Sequence, residues 1–283
     1  MSYLITGAHG MLGTDLVASL GDREVVALGR GDLDITDLGA VRDAVAGHEV
    51  VINSAAFTRV DDAETDESAA FAVNAVGAGN LARAAAEQGA ILVQYSTDYV
   101  FEGSATTPYS EDASAHPVTA YGRTKAAGEK LVREYNPGGS LILRTAWLYG
   151  QHGPNFAATM LRLANDHETV SVVVDQVGQP TWTADLADQT VRLLDSGARS
   201  GTFHATNSGQ ASWFEFARAV FELADLDPAR VLPTDSSQFI RPAPRPAYSV
   251  LGHDAWRSVG LAPMRPWRDA LESAFATGAI GAR

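Results

Sequence analysis

The stretch Tyr3-Leu4-Ile5-Thr6-Gly7-Ala8-His9-Gly10-Met11-Leu12-Gly13 decides the fold of this chain. Its first residues form an apolar run of strand character, and the residues after Gly10 begin a helical pattern that continues to about residue 20. Between them lie three glycines at GxxGxxG spacing. Glycines between a strand and a helix permit a tight turn and let the backbone approach a pyrophosphate, whose charge then sits against the free N–H groups of the helix N-terminus. The stretch therefore predicts a dinucleotide cradle made of Gly7, His9, Gly10, Met11 and Leu12.

Outward from this loop, strand-like runs at 3–6, 24–28, 50–53, 91–95 and 141–145 alternate with helical patterns at 11–20, 38–46, 68–88 and 120–135. Such alternation predicts a Rossmann-type α/β domain over residues 1–150, with a doubly wound parallel sheet. Helical patterns at 155–165, 184–196, 213–224 and 267–276 predict a small substrate-binding lobe over 151–283, interleaved with a return to the sheet domain at about 184–224. Three prolines in Ile240-Arg241-Pro242-Ala243-Pro244-Arg245-Pro246 make that segment an extended loop carrying two arginines. After the second strand, NAD-specific proteins usually place an acid for the ribose hydroxyls. This chain has Gly29-Arg30-Gly31, so Arg30 is placed to meet a 2′-phosphate, and NADP(H) is expected over NAD(H). Asp34 and Ile35, just beyond, are candidates for the adenine edge.

Composition removes several alternatives. A net charge of −13 argues against a nucleic-acid or anionic membrane surface, so an anionic ligand must be held by local groups. There is no cysteine, which excludes thiolate nucleophiles, thiolate metal sites and disulfides and leaves redox chemistry to a cofactor. The seven histidines show no metal-ligand spacing, so no catalytic metal is expected. No apolar run reaches membrane-spanning length, and a cytoplasmic location is expected.

Tyr121-Gly122-Arg123-Thr124-Lys125 places a phenol and an ammonium four residues apart, on one helical face. Only two lysines occur in the chain, and elsewhere basic positions are arginine, which gives the pairing weight. The chemistry explains the choice of lysine. Reducing a ketone needs an acid at the carbonyl oxygen, and a nearby ammonium lowers the pKa of a phenol that is otherwise too weak. A compact ammonium can also bond a nicotinamide ribose, which the wider guanidinium fork does not reproduce. At the end of the fourth strand, Thr97 is the candidate for orienting the carbonyl oxygen, with Ser96 as its competitor.

These motifs, with Asn53-Ser54-Ala55-Ala56-Phe57-Thr58, Ser96-Thr97-Asp98-Tyr99-Val100-Phe101 and Gly128-Glu129, are shared by many extended short-chain dehydrogenases/reductases. A later group resembles one family, dTDP-4-dehydrorhamnose reductase: Arg144-Thr145-Ala146-Trp147-Leu148-Tyr149, Asn155-Phe156, Asp175-Gln176-x-Gly178-x-Pro180-Thr181 and Arg245-Pro246-x-x-Ser249-x-Leu251. The resemblance covers nearly the whole chain. It implies NADPH-dependent reduction of the 4-keto group of a dTDP-6-deoxy-4-ketohexose, with Tyr121 as proton donor, Lys125 as its helper and Thr97 at the keto oxygen. It further implies that Ala55 and Ala56 lie along the cofactor, that Thr58, Val60, Tyr99, Trp147, Asn155 and Gln176 line the substrate site, and that Arg241 or Arg245 meets the diphosphate. Asp62 stands where the family commonly has lysine. Some members hold Mg2+ at a dimer interface through an acidic cluster, of which only Asp15 has a counterpart here, so a monomer or a plain homodimer is expected. Three readings compete: a 4-ketoreductase for another deoxysugar, such as one forming dihydrostreptose; a non-catalytic NADP-binding regulatory subunit; and a sugar-nucleotide epimerase, which would more naturally retain NAD and carry an acid near Arg30.

Overall fold

The computed structural model describes residues 1–281. Its centre is a parallel sheet of β1 (Ser2–Thr6), β2 (Glu24–Leu28), β3 (Val50–Asn53), β4 (Ile91–Thr97) and β5 (Ser140–Thr145). Four short strands follow, β6 (Leu148–Tyr149), β7 (Val170–Val173), β8 (Val177–Gly178) and β9 (Thr181–Trp182), before β10 (Gly201–His204) returns to complete the sheet. The order is β10-β5-β4-β3-β1-β2, all parallel. From β1 the chain moves outward to β2 and then crosses back to β3 on the other side. The crevice at the carboxyl ends of β1 and β3 is thus the topological switch point, and the glycine loop opens into it.

β3, β4 and β5 are buried along their whole length, and their apolar runs Val50–Ile52, Ile91–Val93 and Leu141–Leu143 suit strands covered on both faces. Alternate residues serve the two faces. Ile5, Ile52, Val93 and Leu143 pack against α1 (Met11–Ser19), while Leu4, Val51, Leu92 and Ile142 pack against α2 (Leu38–Val45) and the helix at 78–88. The helical pattern at 68–88 is realised in three pieces after the short α3 (Val60–Thr65): α4 (Glu67–Phe71), a π-helical segment Ala72–Gly77, and α5 (Ala78–Gln88). That wider turn swings Asn74 inward, where its carboxamide takes Phe57 N–H (2.8 Å) and donates to Phe57 O (3.0 Å) and Thr124 Oγ1 (3.1 Å). It also brings Asn74 O so close to α6 (Ala120–Tyr135) that a Cβ at Gly128 would stand 2.1 Å from it.

The second lobe is built from α7 (Phe156–Asp166), the paired strands β6/β9, and the helices and strands that follow α8 (Thr183–Asp195): β11 (Ala211–Ser212), α9 (Trp213–Leu223), β12 (Val231–Thr234) and α10 (Trp267–Ala276). The expected return at about 184–224 divides at its middle. Leu186, Val191 and Phe203 of α8 and β10 join the sheet core, whereas Phe216, Val220 and Phe221 of α9 pack in the lobe with Tyr149, Met160 and Leu271. An amphipathic stripe fits either core; the pairing of β11 with β8 carries α9 to the lobe. Trp256 and Met264 then return to the sheet core. No helix among the described residues is long and apolar enough to cross a membrane.

Candidate active site

A cleft of about 1340 Å³ runs from the glycine loop, past the ends of β3 and β4, to the second lobe. Of the residues expected from the sequence, His9, Gly10, Met11, Leu12 and Ala56 line its cofactor end, and Thr97, Tyr121 and Lys125 its middle. Thr58, Val60, Tyr99, Trp147, Gln176, Arg241 and Arg245 line the remainder.

At the cofactor end the glycines are required by contact. A Cβ at Gly13 would lie 2.2 Å from Gly7 O, and one at Gly7, where φ is +69°, would lie 2.5 Å from Ala55 N. Gly7 and Ala55 therefore support the loop from beneath without lining the cleft. Gly10 has more room, 3.2 Å from Gly7 O, and its N–H closes the turn onto that oxygen at 3.0 Å. The backbone is thus bare where a pyrophosphate would approach the start of α1. Gly29 is buried beneath the His9 ring, with an added Cβ only 2.2 Å from Nδ1, so an acidic side chain at that position would collide with it. Asp32 turns back to accept from Gly29 N (2.8 Å).

Three other residues expected along the cofactor lie outside the cleft. Arg30 is an exposed loop residue, Ile35 is a core residue packed on Gly77, and the Asp34 carboxylate is taken up by Thr36 N (2.9 Å) and Oγ1 (2.8 Å). These two bonds hold Asp34 below the usual carboxylate range.

Tyr121 and Lys125 are both buried on α6, whose N-terminus is capped by the Thr119 hydroxyl accepting from Gly122 N (3.0 Å). Burial pushes the Tyr121 phenol above its usual range, the Thr97 hydroxyl beside it works in the opposite direction, and the Asp98 carboxylate reinforces the rise. Tyr121 therefore stays a protonated acid at neutral pH. Burial lowers the Lys125 ammonium to about 8, against the pull of Glu129 one turn further on, and its Nζ donates to Tyr95 O at 2.6 Å. Glu129 is itself buried; its burial works to raise it, but the two-pronged Arg144 contact (2.9 and 2.9 Å) outweighs that and holds it low.

Asp98 is a site residue that the sequence reading passed over. It is buried, raised to about 6 by that burial with the Ser249 and Thr97 hydroxyls partly offsetting it, and lines the cleft. Thr97 Oγ1 donates to its Oδ1 (3.0 Å), while Oδ2 has no protein partner. Its position directly after Thr97 was the available signal, but a strand-end acid reads equally well as a helix cap.

The sequence profile of the RmlD substrate binding domain matches residues 1–279. The chain belongs to this family. The dTDP-4-dehydrorhamnose reductase of Streptomyces griseus is 53% identical to it over 281 residues, covering 96% of this chain and 92% of that protein. A dTDP-4-keto-6-deoxy-D-glucose reductase of Streptomyces niveus is 52% identical over 277 residues, covering 96% of each. Among solved structures, a Bacillus anthracis dTDP-4-dehydrorhamnose reductase in complex with NADP superposes with a TM-score of 0.94 at 39% identity, covering 98% of this chain and all of that one. These relatives bear out the family resemblance drawn from the motifs.

In this RmlD-family member the substrate end differs from expectation at two residues. Asn155 does not line the cleft: its side chain caps α7 by accepting from Ala158 N (3.0 Å) and donates to Gly150 O (2.9 Å) and Gly153 O (3.2 Å). Arg245 lines the cleft, but its guanidinium donates to Ala243 O of its own loop (3.0 Å) and to Asp61 Oδ2 (2.8 Å), and the second contact ties the proline loop to α3. Gln176 donates to Ser236 Oγ at 2.8 Å. Asp15, the one counterpart of the family's metal cluster, has His152 Nε2 3.8 Å from Oδ1 and a buried Oδ2 without a partner. No group of three or more metal-ligating side chains exists among the described residues.

Proposed function

We propose that the protein is an NADPH-dependent 4-ketoreductase that converts dTDP-4-dehydro-L-rhamnose to dTDP-L-rhamnose. The observation that carries this reading is the convergence of Thr97, Tyr121 and Lys125 in one cleft with a glycine cradle at one end and Arg241 and Arg245 at the other. The bound nicotinamide supplies a hydride to C4 of the sugar. The chain's own residues handle the oxygen. Tyr121 gives its proton to the developing alkoxide, and the Thr97 hydroxyl, which donates to Asp98 Oδ1 in the free cleft, turns to donate to the same oxygen. The Lys125 ammonium stabilises the phenolate left behind and holds the nicotinamide ribose. Asp98, buried beside Thr97, holds that hydroxyl until substrate arrives, and Arg241, with Arg245 anchored beside it on Asp61, meets the diphosphate. Gly29 favours NADPH, because an acid at the position of the usual ribose-binding residue would meet the His9 ring.

A second reading keeps the chemistry and changes the sugar. It is favoured by the near-equal identity to relatives named for two different ketosugars. Purified protein supplied with each dTDP-4-ketosugar should consume NADPH, and mass spectrometry with NMR of the product distinguishes the two sugars. Tyr121→Phe should lower kcat by about 10²–10⁴-fold while NADPH still binds. Full activity in that variant overturns the assignment of the acid.

A further inference from the structure

Trp147 has a backbone φ of +48°, in the left-handed region that a bulky side chain seldom enters. Such a conformation persists only where the surroundings enforce it. Two neighbours do so. The Trp213 ring lies parallel to the indole, with centroids 3.5 Å apart and planes 8° from coincident. Gly178 approaches so closely that a Cβ there would stand 2.6, 2.7 and 2.8 Å from Cε2, Cζ2 and Nε1 of the same indole. With the ring-fusion atom nearest, that approach is over the ring and not along its rim. Because Trp213 already fills the space over one face, Gly178 closes the other.

Both neighbours are carried by one ribbon. β11 pairs with β8 in antiparallel register, Ala211 opposite Gly178, and Trp213 follows β11 directly as the first residue of α9. A capping box fixes that start: Glu215 N donates to Ser212 Oγ (3.1 Å) and Ser212 N to Glu215 Oε2 (2.7 Å). Phe156 backs the Trp213 ring at 4.5 Å. Trp147, Trp213 and Phe156 all line the substrate end of the cleft.

We infer that Trp213 and Gly178 are positioning residues which clamp the Trp147 indole between them, so that it presents its rim, not a face, as a rigid wall that orients the hexose of a nucleotide sugar. The inference rests on the proposed nucleotide-sugar substrate and deepens it: with both faces occupied, a sugar cannot stack on Trp147, and specificity at this wall is set by shape.

Calorimetric binding of dTDP-glucose, with dTDP as the control that lacks the hexose, tests the clamp without turnover. Trp213→Ala should weaken dTDP-glucose roughly tenfold, since a displaced positioning group misplaces the ligand, and leave dTDP within twofold. Gly178→Ala should do the same with Trp213 intact, and Trp213→Phe should restore most of the affinity. The stacked indoles should give an exciton couplet in circular dichroism that Trp213→Ala abolishes and Gly178→Ala alters. Should Trp213→Ala fail to fold, Gly178→Ala and Trp213→Phe carry the same comparison. The clamp is wrong if the variants bind dTDP-glucose like the wild type, or if dTDP and dTDP-glucose weaken in parallel. A wild-type protein that binds dTDP-glucose and reduces no ketosugar sinks the proposed activity and leaves the clamp standing.

Discussion

Lys125 and Asp98 face the same cleft from α6 and from the end of β4, and burial moves them in opposite directions. Lys125 loses its proton near pH 8 in the fold and near 10.5 unfolded. Between those values the unfolded chain binds the extra proton, so this group makes stability rise with pH, while the ammonium that the chemistry needs is disappearing. Asp98 titrates near 6 in the fold and near 3.8 unfolded, so the folded state holds the extra proton in that window and the group's contribution falls as pH rises through it. The consequence for activity is a bell. Measured as kcat/KM, the free enzyme should lose activity below about pH 6 and above about pH 8, and Asp98→Asn should remove the acid limb while leaving the alkaline one. His204 and His253, pushed down by burial to about 3 and about 4, are neutral across this range and do not contribute limbs of their own.

The glycine loop separates two duties that the GxxGxxG pattern runs together. Gly13 lets α1 pass against Gly7 O, a packing requirement, whereas Gly10 leaves the surface bare for a ligand. Gly13→Ala should therefore lower both the melting temperature and NADPH affinity. Gly10→Ala should weaken NADPH at least tenfold, because a methyl group stands where the pyrophosphate approaches, yet shift the melting temperature by only about 2 °C or less. Thermal melts beside titration calorimetry distinguish the two, and equal losses in both variants would show that the duties are not separate. The π-helical turn at Ala72–Gly77 is a second element-scale device. Through Asn74 it ties the loop that bears Thr58 to Thr124 on α6, the residue immediately before Lys125. An alanine-rich helical pattern contains nothing that announces such a turn, since one extra residue per turn is selected by the crossing of α6.

Across the whole molecule, one buried polar network joins three elements of the sheet domain. Glu129 of α6 meets Arg144 of β5, whose Nη1 lies 3.3 Å from His204 Nε2 on β10, and His204 Nδ1 donates to Gly252 O (2.9 Å) in the tautomer this arrangement implies. Arg144→Met should cost about 3 kcal/mol, because it removes the two-pronged partner of the buried Glu129 carboxylate and leaves it only the half-exposed Arg133 at 2.9 Å. Adding Glu129→Leu to that variant should recover much of the loss in denaturant unfolding, since the paired charges are then removed together. Because Glu129 is one turn beyond Lys125, the single variant should also displace the alkaline limb of the pH profile upward.

The sequence by itself determined the parallel sheet, the crossover helices, the glycine cradle and the Tyr121 and Lys125 pair, since each is written in local periodicity or in a spacing whose chemistry is short-range. The residues it misassigned were ambiguous in the same local terms. Asn155 is as good a cap as a sugar ligand, Ile35 as good a core residue as an adenine contact, and α9 carries an apolar stripe that suits either lobe. Only the tertiary structure decided these, and it alone placed Asp98 and Trp213 in the cleft, with Asn74 and Gly178 packed behind its walls. Their roles depend on which groups meet across large sequence separations: a glycine opposite an indole 31 positions earlier, or a carboxamide bonded to a residue 50 positions away. Packing, burial and unpaired polar atoms exist only once those distant segments have come together.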